Sequence, residues 1–227
     1  MASRSKRYTK DSENASKEVF GISDGVKKVK TFGTTKFDQT VELVMHLGID
    51  PKHADQMIRG ALALPHGIGK SRKVIAFCED SEVEAAKAAG ATEAGNDDLV
   101  EKVSGGWMDF DVAIASPRLM GKVGKLGRVL GPQGKMPSPK NGTVTPEVVK
   151  AVGEFAAGKV EFRNDSGGNI HAIVGKLSFD EAKLKDNINT FISHIKAARP
   201  SAVKGIYIKK VAISATMSPS VQLNVIG

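Results

Sequence analysis

The spacing of hydrophobic residues changes twice along these 227 residues, and one type of sheet cannot satisfy both patterns. In "VELVMHLGI", Val41, Leu43, Met45, Leu47 and Ile49 alternate with Glu42, Val44, His46 and Gly48. Period two marks a strand with one face on a core. From residue 72 the alternation gives way to short continuous apolar runs, "KVIAFC" and "FDVAIAS", as in strands buried on both faces. After Gly158 the alternation returns in "KVEFRND", "NIHAIVGKL", "GIYIKKVAISAT" and "SVQLNVI".

Helical signals fall between these strands. "SDGVKKVKTFG" reads as a short helix capped by Ser23 or Asp24 and ended at Gly33. In the middle, "SEVEAAKAAG" and "NDDLVEKVSGG" are helices with acidic first turns, and Pro117 opens another. "TPEVVKAVGEFAAG" is a helix with Thr145 as cap and Pro146 at its first position. Alternating strands and helices argue for a small parallel sheet with helices on its faces. Near the end, Ser178 and Glu181 have the spacing of a capping box. The helix after them carries Leu184, Ile188, Phe191, Ile192 and Ile195 on one face and stops at Pro200. The expected fold is thus α+β and α/β in two domains. Residues 1–67 and 159–227 form a split α+β sandwich, and residues 68–158 an inserted, parallel, Rossmann-like α/β domain. Residues 1–17 read as a flexible arm made basic by Arg4, Lys6, Arg7 and Lys10.

The charge divides at the same places. Residues 68–158 hold 12 Lys+Arg and 12 Asp+Glu, whereas residues 1–67 hold 11 and 8, and residues 159–227 hold 10 and 5. The whole excess of +8 lies in the two ends. A basic face draws in phosphate backbones through counterion release; the plain alternative is solvated lysines on an ordinary surface. The single Cys78 has no partner for an internal disulfide and sits in an apolar strand, as a buried, inert thiol. The first residues lack the apolar stretch of a secretory signal, and no apolar run approaches a membrane span. A soluble, cytoplasmic protein is expected.

Catalytic signatures are missing. "GIGKS", residues 67–71, imitates a phosphate-binding loop, but the register requires glycine at position 64, where Leu64 stands. Such a loop also follows a strand and opens a helix, whereas this stretch runs into "KVIAFC"; a hinge explains its small residues better. The five histidines lack metal-ligand spacing, and no cofactor or metal is implied. A nucleotide-dependent enzyme built on the central α/β region remains the alternative to a nucleic-acid-binding protein.

In the basic ends, "TTKFDQT" sets Lys36, Phe37 and Thr40 just before a strand. Lysine meets phosphate, threonine bonds a ribose or phosphate, and phenylalanine stacks; by residue type alone, Phe37 is better read as core. "RNDSGGNIH" sets Arg163, Asp165 and His171 about a hairpin turn, where a local ion pair is the plain reading. "SATMSPS" holds Met217 in a polar turn, where a methionine usually fills a gap.

Taken in order, "KFDQTVE", "LPHGIGK", "GWMDFD", "LGRVLGPQGKMPSPKNGTVT", "EFRND", "IHAIVGKLSF" and "ATMSPSV" resemble ribosomal protein L-one, the family of the first-numbered large-subunit protein, in its bacterial form. The likeness spans residues 20–225. It implies a domain made of both chain ends that binds a stem and internal loop of large-subunit ribosomal RNA. With that RNA it implies a mobile stalk beside the transfer-RNA exit site, where deacylated tRNA leaves. It further implies binding to a look-alike structure in the protein's own operon mRNA, translational repression, and a monomer off the ribosome. Lys36, Phe37, Thr40, Arg163, Asp165, His171, Lys210, Thr216 and Met217 would face RNA, with Ser166 and Ser218 among them as departures. Ser166 replaces the lysine usual after the aspartate, and Ser218 replaces the glycine usual after the threonine-methionine pair. The loop at residues 125–144 would be a shaped connection with a secondary RNA contact through Lys135 and Lys140.

Overall fold

The computed structural model describes residues 5–15, 18–33 and 35–225; Arg4, at the basic start of the chain, lies outside them. The described chain divides into two compact units, residues 1–69 with 160–227 and residues 70–159. The first holds helix α1 (Lys6–Asn14), strand β1 (Val19–Phe20), helix α2 (Ile22–Lys30) and strands β2 (Thr40–Leu47) and β3 (Arg59–Leu62). The second holds β4 (Val74–Phe77), α3 (Val83–Ala88), β5 (Ala91–Gly95), α4 (Asp97–Ser104), β6 (Val112–Ala115), α5 (Met120–Val123), α6 (Gly127–Leu130) and α7 (Val148–Ala156). The chain then re-enters the first unit with β7 (Val160–Arg163), β8 (Asn169–Lys176), α8 (Glu181–Ala197), β9 (Ile208–Ala215) and β10 (Val221–Leu223).

In the first unit a five-stranded sheet runs in the order β1-β10-β9-β2-β8. Strand β2 is antiparallel to β8 on one side and to β9 on the other. The period-two reading holds along it: Val41, Leu43, Met45 and Leu47 are buried, and the residues between them are half-exposed. The buried side meets α2 through Val26 and Val29, and α8 through Leu184, Ile188, Phe191, Ile192 and Ile195. Strands β7 and β8 follow one another across a turn but join different sheets; β7 pairs with β3, with Arg59 opposite Arg163.

The second unit has a parallel sheet in the order β5-β4-β6. Every residue of β4 and β6 is buried, as their unbroken apolar runs require. Strand β5, "ATEAG", carries no period-two signal and was not legible in the sequence. Burial, then the nearby Glu82 and Asp80 charges, push the Cys78 thiol above its ordinary value, so it stays protonated. Among the described residues no helix is long and apolar enough to cross a membrane.

Several local expectations change. The start of the chain is not a plain flexible arm, because residues 6–14 are helical. Helix α2 begins at Ile22 after Gly21, so Ser23 and Asp24 lie in its first turn instead of capping it. Thr145 does not cap α7: its hydroxyl accepts the Glu147 N–H at 3.2 Å, closing a small turn before Val148. Ser178 forms no capping box, because Asp38 takes both its hydroxyl (2.7 Å) and its amide (3.2 Å). A side chain 140 positions away thus outcompetes the local cap.

The "GIGKS" stretch is shaped by two left-handed glycines, Gly67 and Gly69. A Cβ at Gly69 would also lie 2.8 Å from the Phe179 ring. Fully buried Asn187 of α8 fastens this corner. Its amide donates to the Gly67 carbonyl at 3.0 Å and the Val174 carbonyl at 2.8 Å, and its oxygen accepts the His66 N–H at 3.2 Å. Asn187→Leu keeps the branched shape, though it is bulkier, and strands those backbone groups. It should lower stability by about 2–4 kcal/mol in urea unfolding; a variant as stable as the parent would mean that water replaces the amide.

Candidate nucleic-acid interface

The residues singled out in the sequence gather in two groups at opposite ends of one sheet face. Thr40, Glu42, Val44 and His46 are the positions of β2 that point away from the core. Lys210, Ala212 and Ser214 occupy the same side of β9, and Asn169, His171 and Ile173 that of β8. Thr40 and His46 are six residues apart, about 20 Å at the rise of an extended strand.

The first group holds Lys36, Phe37, Thr40, Thr216, Met217 and Ser218. Thr216 N–H donates to the Thr40 carbonyl at 3.1 Å, while the Thr216 hydroxyl accepts the Thr40 N–H at 3.0 Å. The Lys176 ammonium donates to the Thr40 hydroxyl at 2.8 Å. Buried Gln39 accepts the Met217 N–H on its side-chain oxygen at 3.1 Å, and its carbonyl accepts the Leu177 N–H at 2.8 Å. Asp38, through Ser178, holds the same loop to the start of α8. The loop and the turn are thus laced from several directions.

What they present is apolar. Phe37 and Met217 are each 51% exposed, two of the four large hydrophobic side chains in the open among the described residues. Phe37 is therefore not a core residue, and Met217 fills no gap. Beside Phe37 lies a cleft of about 430 Å³ lined by Thr35, Lys36, Asp38, Gln39, Leu177 and Ser178. Ser218 fits its turn without a left-handed backbone, since no described residue other than glycine has positive φ. Its hydroxyl folds back to accept the Ala215 N–H at 2.9 Å.

The second group holds Asp165, Ser166, His171 and, across β2, Lys210; Arg163 ends β7, in the other sheet, just before the turn that carries Asp165 and Ser166. Asn169, His46 and Lys210 form one row over three strands, with His46 Nδ1 2.8 Å from the Asn169 side-chain oxygen. Arg163, Ser166, His171 and Lys210 are exposed. His171 Nε2 lies 3.8 Å from Asp165, within reach of an ion pair when the imidazole is protonated. Yet the Asp165 carboxylate chiefly builds the turn, accepting the Gly167 N–H at 2.8 Å and the Asn169 N–H at 2.7 Å. In the second unit, Lys135 is turned inward: it donates to the Met108 and Phe110 carbonyls at 3.1 and 2.6 Å and lies over the Phe110 ring. Lys140 remains exposed.

Residues 26–219 match the model of the "Ribosomal protein L1p/L10e family". The chain belongs to that family. It is 56% identical over 223 residues to the large ribosomal subunit protein uL1 of Rhodopirellula baltica, covering 98% of this chain and 99% of the relative. It is 49% identical over 222 residues to the uL1 protein of a Nocardioides species, covering 97% and 92%. As a member of the L1 family it is a ribosomal protein and not an enzyme.

Sequence reading missed Gln39, Lys176, Glu42 and His46 as parts of this face. Glu42 and His46 lie at non-core positions of β2, so the alternation itself marks them; Lys176 has the parity of buried Ala172 and Val174, and only the register shift opposite Val41 and Glu42 brings it level with Thr40. Gln39 has no such signal, because its burial depends on a turn 178 positions away.

Hydrogen bonds from Asn169, side chain first, hold the Asp165 carboxyl below its ordinary value of 3.8. A depressed carboxyl contributes above its unfolded pKa, and its contribution is lost as pH falls through the folded one. The 165–169 turn should therefore stay closed at pH 5 and open only below the usual aspartate range. Amide NMR of Gly167 and Asn169 during acid titration reads this, and a midpoint above 3.8 would contradict it.

Proposed function

We propose that the open sheet face binds structured large-subunit ribosomal RNA, with Phe37 and Met217 as its apolar contacts. The chain is a structural constituent of the large ribosomal subunit, on the ribosome in the cytoplasm. The carrying observation is the exposure of Phe37 and Met217 on a loop and turn that Gln39, Thr216 and Asp38 hold in place. Exposed apolar side chains on a laced frame serve a partner with flat, unstacked faces, and unpaired bases of an internal loop have them. The cleft beside Phe37 has room for such a base. Lys36 and Lys176 at one end, and Arg163 and Lys210 at the other, meet the phosphates. Glu42, midway along β2, cannot attract phosphate and accepts a hydrogen bond from a 2′-hydroxyl or base amino group instead. In this reading the protein and its RNA form the mobile stalk beside the tRNA exit site and meet departing deacylated tRNA. The same face, offered a similar fold in the protein's own operon mRNA, represses its translation. Off the ribosome the protein is a monomer.

Titration of purified large-subunit ribosomal RNA and a scrambled RNA of equal length, across a salt series, tests this. The specific RNA should bind with a log–log slope equivalent to roughly three to six phosphate contacts, and the preference should survive high salt. Lys36→Ala or Lys210→Ala should lower the slope by about one contact each. Phe37→Ala and Met217→Ala should each weaken binding by about 1–3 kcal/mol at unchanged slope. Equal binding of both RNAs with one steep slope would reduce the protein to a polycation. Thr216→Ala should weaken binding too, with about 1 kcal/mol of stability lost, because its hydroxyl holds the Thr40 amide.

A second test concerns the middle of the chain, whose charges balance over residues 68–158. Replacing residues 70–159 by a short Gly/Ser bridge should leave a folded protein that still selects the RNA. Loss of nearly all affinity in a shortened chain shown to be folded would mean that the middle carries the main contact.

A further inference from the structure

Helix α1 is short, polar and close to the chain start, and it buries only Asp11. A nine-residue helix of this kind is marginal in water. Its Ser5 cap, accepting the Tyr8 N–H at 3.3 Å, does little to change that. Two side chains one helical turn apart attach it to the site. The Arg7 guanidinium donates from Nη1 to the Gly33 carbonyl at 2.6 Å and from Nη2 to the Met217 carbonyl at 2.8 Å. Asp11 Oδ1 accepts the Gly33 N–H at 3.1 Å. Gly33 is thus held at both its amide and its carbonyl. It packs so closely that an added Cβ would lie 2.9 and 3.0 Å from Arg7 Cγ and Cδ.

Met217 is held in the same way. Gln39 takes its N–H, and Arg7 holds its carbonyl. One planar fork therefore joins the segment that leads into Phe37 to the turn that carries Met217.

We propose that Arg7 is a positioning residue of the RNA-binding face: it acts through Met217 and Gly33 to fix the two apolar contacts relative to one another before RNA arrives. The proposal rests on the RNA reading of that face. Its physical content is preorganisation, since a turn already held loses less freedom on binding. A lysine keeps the charge but not the fork, and a single ammonium does not reproduce two fixed, divergent donors.

The test uses the full chain with Arg7→Ala, Arg7→Lys and Gly33→Ala, the last displacing the arginine stem without removing a charge. Hydrogen exchange of the Met217 amide without RNA should quicken in all three. Affinity for purified large-subunit ribosomal RNA should fall about tenfold in all three, at a salt slope equal to the parent's. Rescue by Arg7→Lys, with a slope lowered by about one contact in Arg7→Ala, would make Arg7 a direct phosphate contact and overturn the proposal. Unchanged exchange and affinity would make α1 a bystander. Phe37→Ala and Met217→Ala serve as controls. If these bind like the parent, the RNA face is misassigned, and the exchange measurement alone still decides whether Arg7 holds the turn.

Discussion

Strand β2 pairs on both sides with strands from the far end of the chain, and the first unit depends on that. Thr40–Leu47 lies between β8 and β9, more than 120 positions later in sequence. Loop closure over that distance costs entropy that only a well-packed face recovers. Leu43, Met45, Ile170, Val174, Val211 and Ile213 provide the packing under α8. The same pairing brings Thr40 to Thr216 and His46 to Lys210. The candidate RNA face is therefore a direct consequence of the register, and a one-residue slip would turn it inward.

On that sheet, the loop and turn are stiffened by side chains bonding to backbone from distant segments. Gln39, Asp38 and Thr216 each make such a bond across more than 100 positions. The polar partners are matched, so the frame carries exposed Phe37 and Met217 without letting them collapse inward. This suits recognition of a folded RNA, whose shape is fixed before contact. Flexible cationic tails would bind RNA, but with little selectivity.

Charge has a separate role. The excess over neutrality belongs to residues 1–67 and 159–227. At the face itself, cations stand at the two ends, with Glu42, Val44, Ile173, Ala212 and Ser214 half-exposed between them. Under the proposed RNA reading, this arrangement draws phosphates to the margins and leaves the centre to shape and base edges.

Much of this was legible in the chain. Alternation in "VELVMHLGI" and "IKKVAISA" identified the half-buried strands, and the apolar runs "VIAF" and "VAIA" identified the fully buried ones, because one-sided and two-sided burial leave different periods. The family, too, lay open in ordered motifs. Tertiary structure alone decided which polar groups meet. Ser178 left its local capping box for Asp38, the polar start of the chain became a helix held by Arg7, and Phe37 came to the surface. Local propensity has no term for a partner brought close by sheet register. Where short-range preferences are worth about 1 kcal/mol, one well-placed distant hydrogen bond is enough to reverse them.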